Sequence, residues 1–420
     1  MNRAERRRIE KQRRKDKTGN ISSFEELLTS AVAELQNGNF AHADKLFAKL
    51  ISKNPQEPTS LHFAGVTKYH QRLYGEAVDL LGAAIKIAPN YAQAYNSLGI
   101  VYFDQREFNQ AQQSFQTAIS IKPDYSNAHT NLGNTLVELD EISEAVSCYE
   151  AALTYDQHNL EAGYKLSAAH LTMDNPEDAL ASADNCLLNH RYCQNAYAYK
   201  AIALSRLDRK SEWLELYNYE EMIHKVNISI PTEFSSLESF NSKLEHDIRD
   251  HPTLTWEPLD RVTNGGAVTK DIAINPTVAI KAFESALRRS IDLLIEQLHH
   301  QSGHPFYSRI PKKRYNLTLI ASILRARGWH PPHIHESSWL SGVYYVKVPS
   351  IVNADNKQHE GWLQFGLPNI ELSENWIPDT TEIKPEEGSI VSFPSYFFHG
   401  TIPYHNDDER IGIAFDVYPA

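Results

Sequence analysis

The sequence predicts a multidomain chain: an all-α solenoid of stacked helical hairpins, then a mainly-β domain with supporting helices. Three observations lead there. From Phe24 the chain resembles itself at a period of about 34 residues. That helical period fades past Ile228, where prolines accumulate. From Tyr315 onward, short β-branched and aromatic runs alternate with turn-forming residues. At 420 residues the chain is too long for one ordinary core, so two folded units are expected.

The clearest repeating unit is AQAYNSLGIVYFDQREFNQAQQSFQTAISIKP, with key positions Tyr95, Leu98, Gly99, Tyr102, Ala111, Phe115, Ala118 and Pro123. One period later stand His129, Leu132, Gly133, Leu136, Ala145, Tyr149 and Ala152. One period earlier stand Leu61, Ala64, Gly65, Ala77, Leu81, Ala84 and Pro89, and Ala43, Phe47, Leu50 and Pro55 continue upstream. Small residues suit the contact between antiparallel helices, large ones fill the gap between hairpins, and proline stops the second helix. Fainter copies, Leu166, Ser167, Ala179 and Ala183, then Tyr197, Ala201 and Trp213, carry the array to about residue 227, roughly six repeats in all. The pattern resembles the tetratricopeptide repeat. That resemblance implies a curved solenoid whose concave face binds a protein or peptide partner; rigidifying or dimerising the chain is the plainer alternative.

Composition narrows the remaining classes. Hydrophobic content of 41% and charged content of 22% are those of a globular protein, and the net charge of -12 argues against general nucleic-acid binding. The opening MNRAERRRIEKQRRKDK is the basic exception, read as a solvated tail over residues 1–22. It lacks the apolar core of a secretory signal, and no apolar run elsewhere is long enough to span a bilayer. Cys148, Cys186 and Cys193 show no CxxC pairing and read as apolar fillers in a reducing, cytoplasmic compartment.

In the second half, NPTVAIKAFESALRRSIDLLIEQLHHQ predicts a helix capped by Asn275, with Pro276 in its first turn. Its apolar stripe is Val278, Phe283, Leu287, Ile291, Leu294 and Leu298. The runs YNLTLIASILRA, SGVYYVKV, GWLQFG, GSIVSFPS and RIGIAFDV then predict strands of an antiparallel sandwich or barrel.

One stretch carries chemistry: HPPHIHESSWLSGVYYV, which opens at His330. His333 and His335 stand one residue apart at the mouth of a strand, so their side chains share a face. His330 has the opposite parity and is expected in the loop. Much later, GSIVSFPSYFFHG ends a strand with His399, and Arg410 opens the next. An H-x-H pair alone is a weak signal; with a distant histidine and an arginine beyond it, a metal site becomes the better reading.

These residues resemble the iron(II)- and 2-oxoglutarate-dependent oxygenases, a superfamily that includes prolyl hydroxylases. The features in family order are H-x-H before LSGVYYVKVP, then GWLQFG, KPEEGSIVSFPSYFFHGTIPY and ERIGIAFDV. The resemblance implies a double-stranded β-helix (jelly roll), Fe(2+) as metal and 2-oxoglutarate as co-substrate. It makes His333, His335 and His399 the metal ligands and Arg410 the anchor for the distal carboxylate. Tyr345 falls in the strand that lines the co-substrate pocket. His335 occupies the slot that holds a carboxylate in the family's usual H-x-D, a departure that raises the site's charge by one. Glu336 and, more remotely, Asp416 are alternative ligands, and Arg325 and Arg327 are candidate contacts for an acidic group.

The expectation is thus a basic tail (1–22), a repeat domain (23–227) and an oxygenase domain (228–420) that hydroxylates a protein or peptide docked by the repeats. Two rivals stand beside it: a three-histidine metal enzyme that does not use 2-oxoglutarate, and a non-catalytic interaction protein.

Overall fold

The computed structural model describes residues 24–257, 263–312, 314–352, 355–372 and 376–420. The basic tail lies outside them. Contacts divide the chain into two compact units, one ending at Ala162 and the other running from Gly163 to Ala420.

The described residues of the first unit form helical hairpins. Helix α1 covers residues 24–36, followed by α2 (Phe40–Lys53), α3 (Pro58–His70), α4 (Tyr74–Ile87), α5 (Ala92–Asp104), α6 (Phe108–Ile121), α7 (Ser126–Glu138) and α8 (Ile142–Tyr155). Close approach between paired helices explains the recurrent glycine. A Cβ on Gly65, Gly99 or Gly133 would come within 2.8, 2.5 or 2.6 Å of Leu81, Phe115 or Tyr149. Each of those large side chains is almost wholly buried against the hydrogen atom that takes a side chain's place. The turns repeat as well: Arg72, Arg106 and Asp140, one period apart, all adopt left-handed φ of 60–62°.

The second unit opens with the same architecture. Helix α9 (Leu160–Thr172) crosses the boundary, and α10 (Pro176–Asn189), α11 (Gln194–Arg206), α12 (Lys210–Leu216) and α13 (Tyr219–Met222) follow. Asp174 and Asp208 keep the left-handed turn in phase, so the backbone period persists where the side-chain signal decays. The helical period and the compact unit therefore end in different places. Residues 163–216 continue the repeats yet share one body with the sheets. Cys148, Cys186 and Cys193 form no disulfide, and the latter two are buried.

The sheet region comprises β1 (His224–Asn227), β2 (Thr255–Trp256), β3 (Asn264–Asp271), β4 (Tyr315–Trp329), β5 (Leu340–Lys347), β6 (Leu363–Phe365), β7 (Thr381–Ile383), β8 (Ser389–Pro394), β9 (His399–Thr401) and β10 (Arg410–Pro419). They form a seven-stranded sheet in the order β1-β8-β5-β10-β4-β3-β2 and a three-stranded sheet β7-β6-β9. Every pairing is antiparallel, consistent with the jelly-roll expectation. Helices α14 (Leu237–Arg249) and α15 (Val278–Gln297) cover one face of the large sheet. There the Tyr344 ring packs 4.9 Å from Phe283, and its hydroxyl donates to Asn241 Oδ1 at 2.5 Å.

Strand alternation sorts β10 cleanly. Ile411, Ile413, Phe415 and Val417 are buried in the core, while Arg410, Gly412, Ala414 and Asp416 face a pocket on the other side.

Three local expectations need correction. The cap of α15 is Thr277, whose side chain accepts from the Ile280 amide, and Asn275 instead sits in a left-handed turn. Val278 is 72% exposed and leaves the apolar stripe, because the helix starts later than the asparagine cap requires. His399 does not end the GSIVSFPS strand. That strand, β8, stops at Pro394, and His399 begins β9 in the other sheet.

Candidate metal centre

His333 and His335 lie in the connection between β4 and β5, ahead of the strand proper. Backbone pairing, not strand membership, places them. His333 and His399 exchange N–H···O bonds of 3.0 Å each, and the His335 amide donates to the Ser395 carbonyl at 3.0 Å. The rings consequently converge: centroids are 4.3 Å apart for His333 and His399, 5.1 Å for His335 and His399, and 5.3 Å for His333 and His335. One ligand atom from each of the three lies within 4.8 Å of the others.

The terminal hairpin of the repeat array, α11 and α12, supports this arrangement. Residues 395–398, which carry the chain into His399, rest on α11 and the end of α12. Tyr217 Oη donates to the Tyr396 carbonyl at 2.6 Å, Tyr396 Oη donates to the Leu216 carbonyl at 2.9 Å, and the Phe398 amide donates to Tyr217 Oη at 3.3 Å. The Tyr217 and Phe397 rings stack at 4.3 Å. Sequence reading saw the residues of this hairpin as decayed repeats and missed that they seat the metal-site loop.

Each imidazole is oriented by an oxygen behind it. His333 Nδ1 is 2.8 Å from the Pro331 carbonyl and His399 Nδ1 is 3.0 Å from the Phe397 carbonyl. A carbonyl only accepts, so both Nδ1 atoms carry the proton and both Nε2 atoms keep a lone pair. His335 Nδ1 lies 2.9 Å from Asp416 Oδ2. Burial, reinforced by the neighbouring histidines, pushes His399 well below the usual imidazole range and His333 down to about 4. Both rings are therefore neutral near pH 7, the form that binds metal.

The remaining predicted residues fall as follows. Arg410 is 4% exposed, and its Nη1 donates to the Gly361 carbonyl at 2.9 Å and to Thr401 Oγ1 at 3.1 Å. It does not form a surface pair with Glu409, which pairs with Arg249. Tyr345 is fully buried, and its ring lies 5.0 Å from the guanidinium while its hydroxyl accepts from Nη2 at 3.4 Å. It backs Arg410 and does not line the pocket. Glu336 also lines the pocket that holds the histidines, but its carboxylate accepts from Asn195 Nδ2 at 3.0 Å. Arg325 and Arg327 are not among the pocket-lining residues, and the exposed Arg325 lies 3.5 Å over the Trp256 ring. His330 flanks the cluster, 6.4 Å from the His333 ring, and burial, with His333 and Arg410 adding to it, pushes its imidazole down to about 3.

The three histidines and Arg410 line one pocket of about 420 Å³, a size suited to a small-molecule ligand. The donor set fits a divalent transition metal: three imidazoles, two of them neutral with fixed tautomers, and a buried guanidinium in the same cavity.

Comparison with known proteins finds two kinds of match along the chain. A family model described as "Putative 2OG-Fe(II) oxygenase" matches residues 320–416. Tetratricopeptide-repeat models match residues 28–92, 92–125 and 126–159. No curated protein is similar enough to register a match. Similar solved structures include TTC0263 of Thermus thermophilus, a thermophilic tetratricopeptide protein, at 22% identity over 43% of this chain and 99% of that one, TM-score 0.38. Pseudomonas aeruginosa pilF matches at 14% identity over 47% and 90%, TM-score 0.44. MamA of Desulfovibrio magneticus RS-1 matches at 15% identity over 40% and 95%, TM-score 0.36. The chain is a fusion of tetratricopeptide repeats with a domain that matches the 2OG-Fe(II) oxygenase family model.

Proposed function

We propose that the protein is an Fe(II)- and 2-oxoglutarate-dependent dioxygenase that hydroxylates a protein or peptide, with residues 23–227 docking the partner and residues 228–420 forming the oxygenase domain. The observation that carries the reading is the shared pocket: three imidazoles from two separated segments, with one ligand atom of each within 4.8 Å of the others, and a buried arginine in the same cavity.

His333, His335 and His399 would hold the metal, and Arg410 would hold the distal carboxylate of 2-oxoglutarate. Bound there, the pair supplies the oxidative decarboxylation that drives hydroxylation of an unactivated C–H. The chain's own work is to bind, orient and shield. Carbonyls of Pro331 and Phe397 hold two imidazoles as Nδ1–H tautomers with Nε2 available. Gly361 and Thr401 tether Nη1 of Arg410, which leaves Nε–H and one Nη2–H for a carboxylate.

No helix among the described residues is long and apolar enough to cross a membrane. A cytoplasmic setting accords with three cysteines that form no disulfide.

An anaerobic Fe(II) titration with and without 2-oxoglutarate tests the reading. A weak charge-transfer absorption is expected only when both are present, and it disappears in His399→Ala. Metal binding indifferent to 2-oxoglutarate and to Arg410→Ala would instead favour a three-histidine enzyme of another class. Absence of metal binding altogether would leave an interaction protein.

A further inference from the structure

Two carboxylates line the pocket, Glu336 and Asp416. Glu336 is exposed and engaged by Asn195. Asp416 is different. Its Oδ1 and Oδ2 lie 2.7 and 2.9 Å from His335 Nδ1. The hydroxyls of Ser341 and Ser338 stand 2.6 and 2.9 Å from Oδ1. Ser395 Oγ closes the cluster at 2.8 Å from Ser338 and 2.9 Å from Ser341. All three serines are at most 1% exposed. The carboxylate is thus clamped between strands β10 and β5 and the loop that carries His399, with a single ring nitrogen in front of it.

We propose that Asp416 is the positioning carboxylate of the histidine cluster: from behind His335 it supplies the negative charge that three imidazole ligands lack. The inference rests on the reading that these histidines hold a divalent metal. A dication held by three imidazoles gains no negative charge from its ligands. A carboxylate bonded to the far nitrogen of one ring provides it, makes the near nitrogen a stronger donor and fixes its direction. The buried serine hydroxyls make this geometry a built one, because they satisfy Oδ1 and so hold the carboxylate against His335. Where H-x-D puts the acid on the metal, this chain puts it one residue further out. Asp416 acts through His335 and touches no reacting atom.

The test is a set of four full-length proteins: wild type, Asp416→Asn, His335→Asp and His335→Asp/Asp416→Asn. Affinity for Co(II), read from its visible absorption, and for Fe(II) under anaerobic conditions is measured for each, with circular dichroism and thermal melting to establish the fold. Asparagine still offers an acceptor to His335 and to the serines, so the single substitution removes charge with little change of shape. The expected result is a ten- to hundredfold loss of metal affinity in Asp416→Asn. In the His335→Asp background, where the acid sits on the metal itself, the same substitution costs less than about threefold. Ser341→Ala leaves the charge but frees the carboxylate to turn. It gives a smaller loss with the same dependence on His335, and it decides the matter if Asp416→Asn does not fold. Equal losses in both backgrounds, or no loss in either, would overturn the role of Asp416 while leaving the metal site standing. Failure of the wild type to bind either ion would overturn the metal reading itself, and this inference with it.

Discussion

The helical unit and the histidine cluster use the same chain by opposite rules. In residues 24–162 every important contact recurs one period on: glycine against a large side chain, a left-handed turn, a small residue between helices. At the histidine cluster nothing recurs. His333 meets His399 across 66 positions of sequence and His335 meets Asp416 across 81. The first kind of structure tolerates decay of any one copy, because its neighbours still impose the geometry. The second depends on a few long-range backbone bonds, so its weak points lie far from the histidines.

The largest expected effect lies in the helices. Phe115 is 1% exposed, and Phe115→Ala should cost about 3–5 kcal/mol, read by denaturant unfolding of the full chain. Metal affinity should stay unchanged; a parallel loss would break the contrast between the two regions.

Acid should act on both regions through buried histidines. His62 is 6% exposed between Ser97 and Tyr91, and burial lowers its imidazole to about 4. The unfolded chain takes up that proton near pH 6.5 and the folded chain only near 4. Stability is therefore complete above pH 6.5 and is lost as pH falls between those values, by up to about 3 kcal/mol. His62→Asn should flatten that limb of the pH–stability profile, and an unchanged slope would place the loss elsewhere.

At the site, Arg410→Lys keeps a positive charge but loses the fork. Binding of 2-oxoglutarate to the Fe(II) protein should weaken ten- to hundredfold while Fe(II) affinity alone holds. Isothermal calorimetry separates the two, and equal weakening of both would assign Arg410 to the scaffold.

The smallest effect sharpens the comparison most. Tyr217→Phe removes the bond to the Tyr396 carbonyl and the acceptor for the Phe398 amide. The expected cost is about 1–3 kcal/mol, together with a severalfold weaker metal site, although Tyr217 touches none of the histidines. If metal affinity does not move, the terminal hairpin is only a neighbour of the His399 segment.

Much of this was legible in the residues. The repeat array was readable from Phe47 to Ala152 because helical packing writes the same side chain at the same phase. The parity of Arg410 and Asp416 on β10 was readable because a strand alternates with a period of two. Other elements left weaker traces. Strand β3 (Asn264–Asp271) contains two glycines and shows no clean alternation, and the cap at Thr277 was masked by the more obvious Asn275–Pro276 pair. Asp416 was visible as a candidate ligand, but its actual contact, His335 Nδ1, could not be read from spacing.

By itself, the sequence determined what depends on local periodicity and residue chemistry: the hairpin repeats, the antiparallel strands, the three imidazoles and Arg410 on one face of its strand. Only the tertiary structure decided what depends on distant backbone pairing. It joined residues 163–216 to the sheets, put His399 at the start of a strand rather than its end, engaged Glu336 with Asn195 and set Asp416 behind His335. The reason is physical. A helical or pleated repeat is imposed by torsions and neighbours a few residues away, whereas the position of a loop is fixed by whichever distant donors and acceptors must be satisfied once the core has closed.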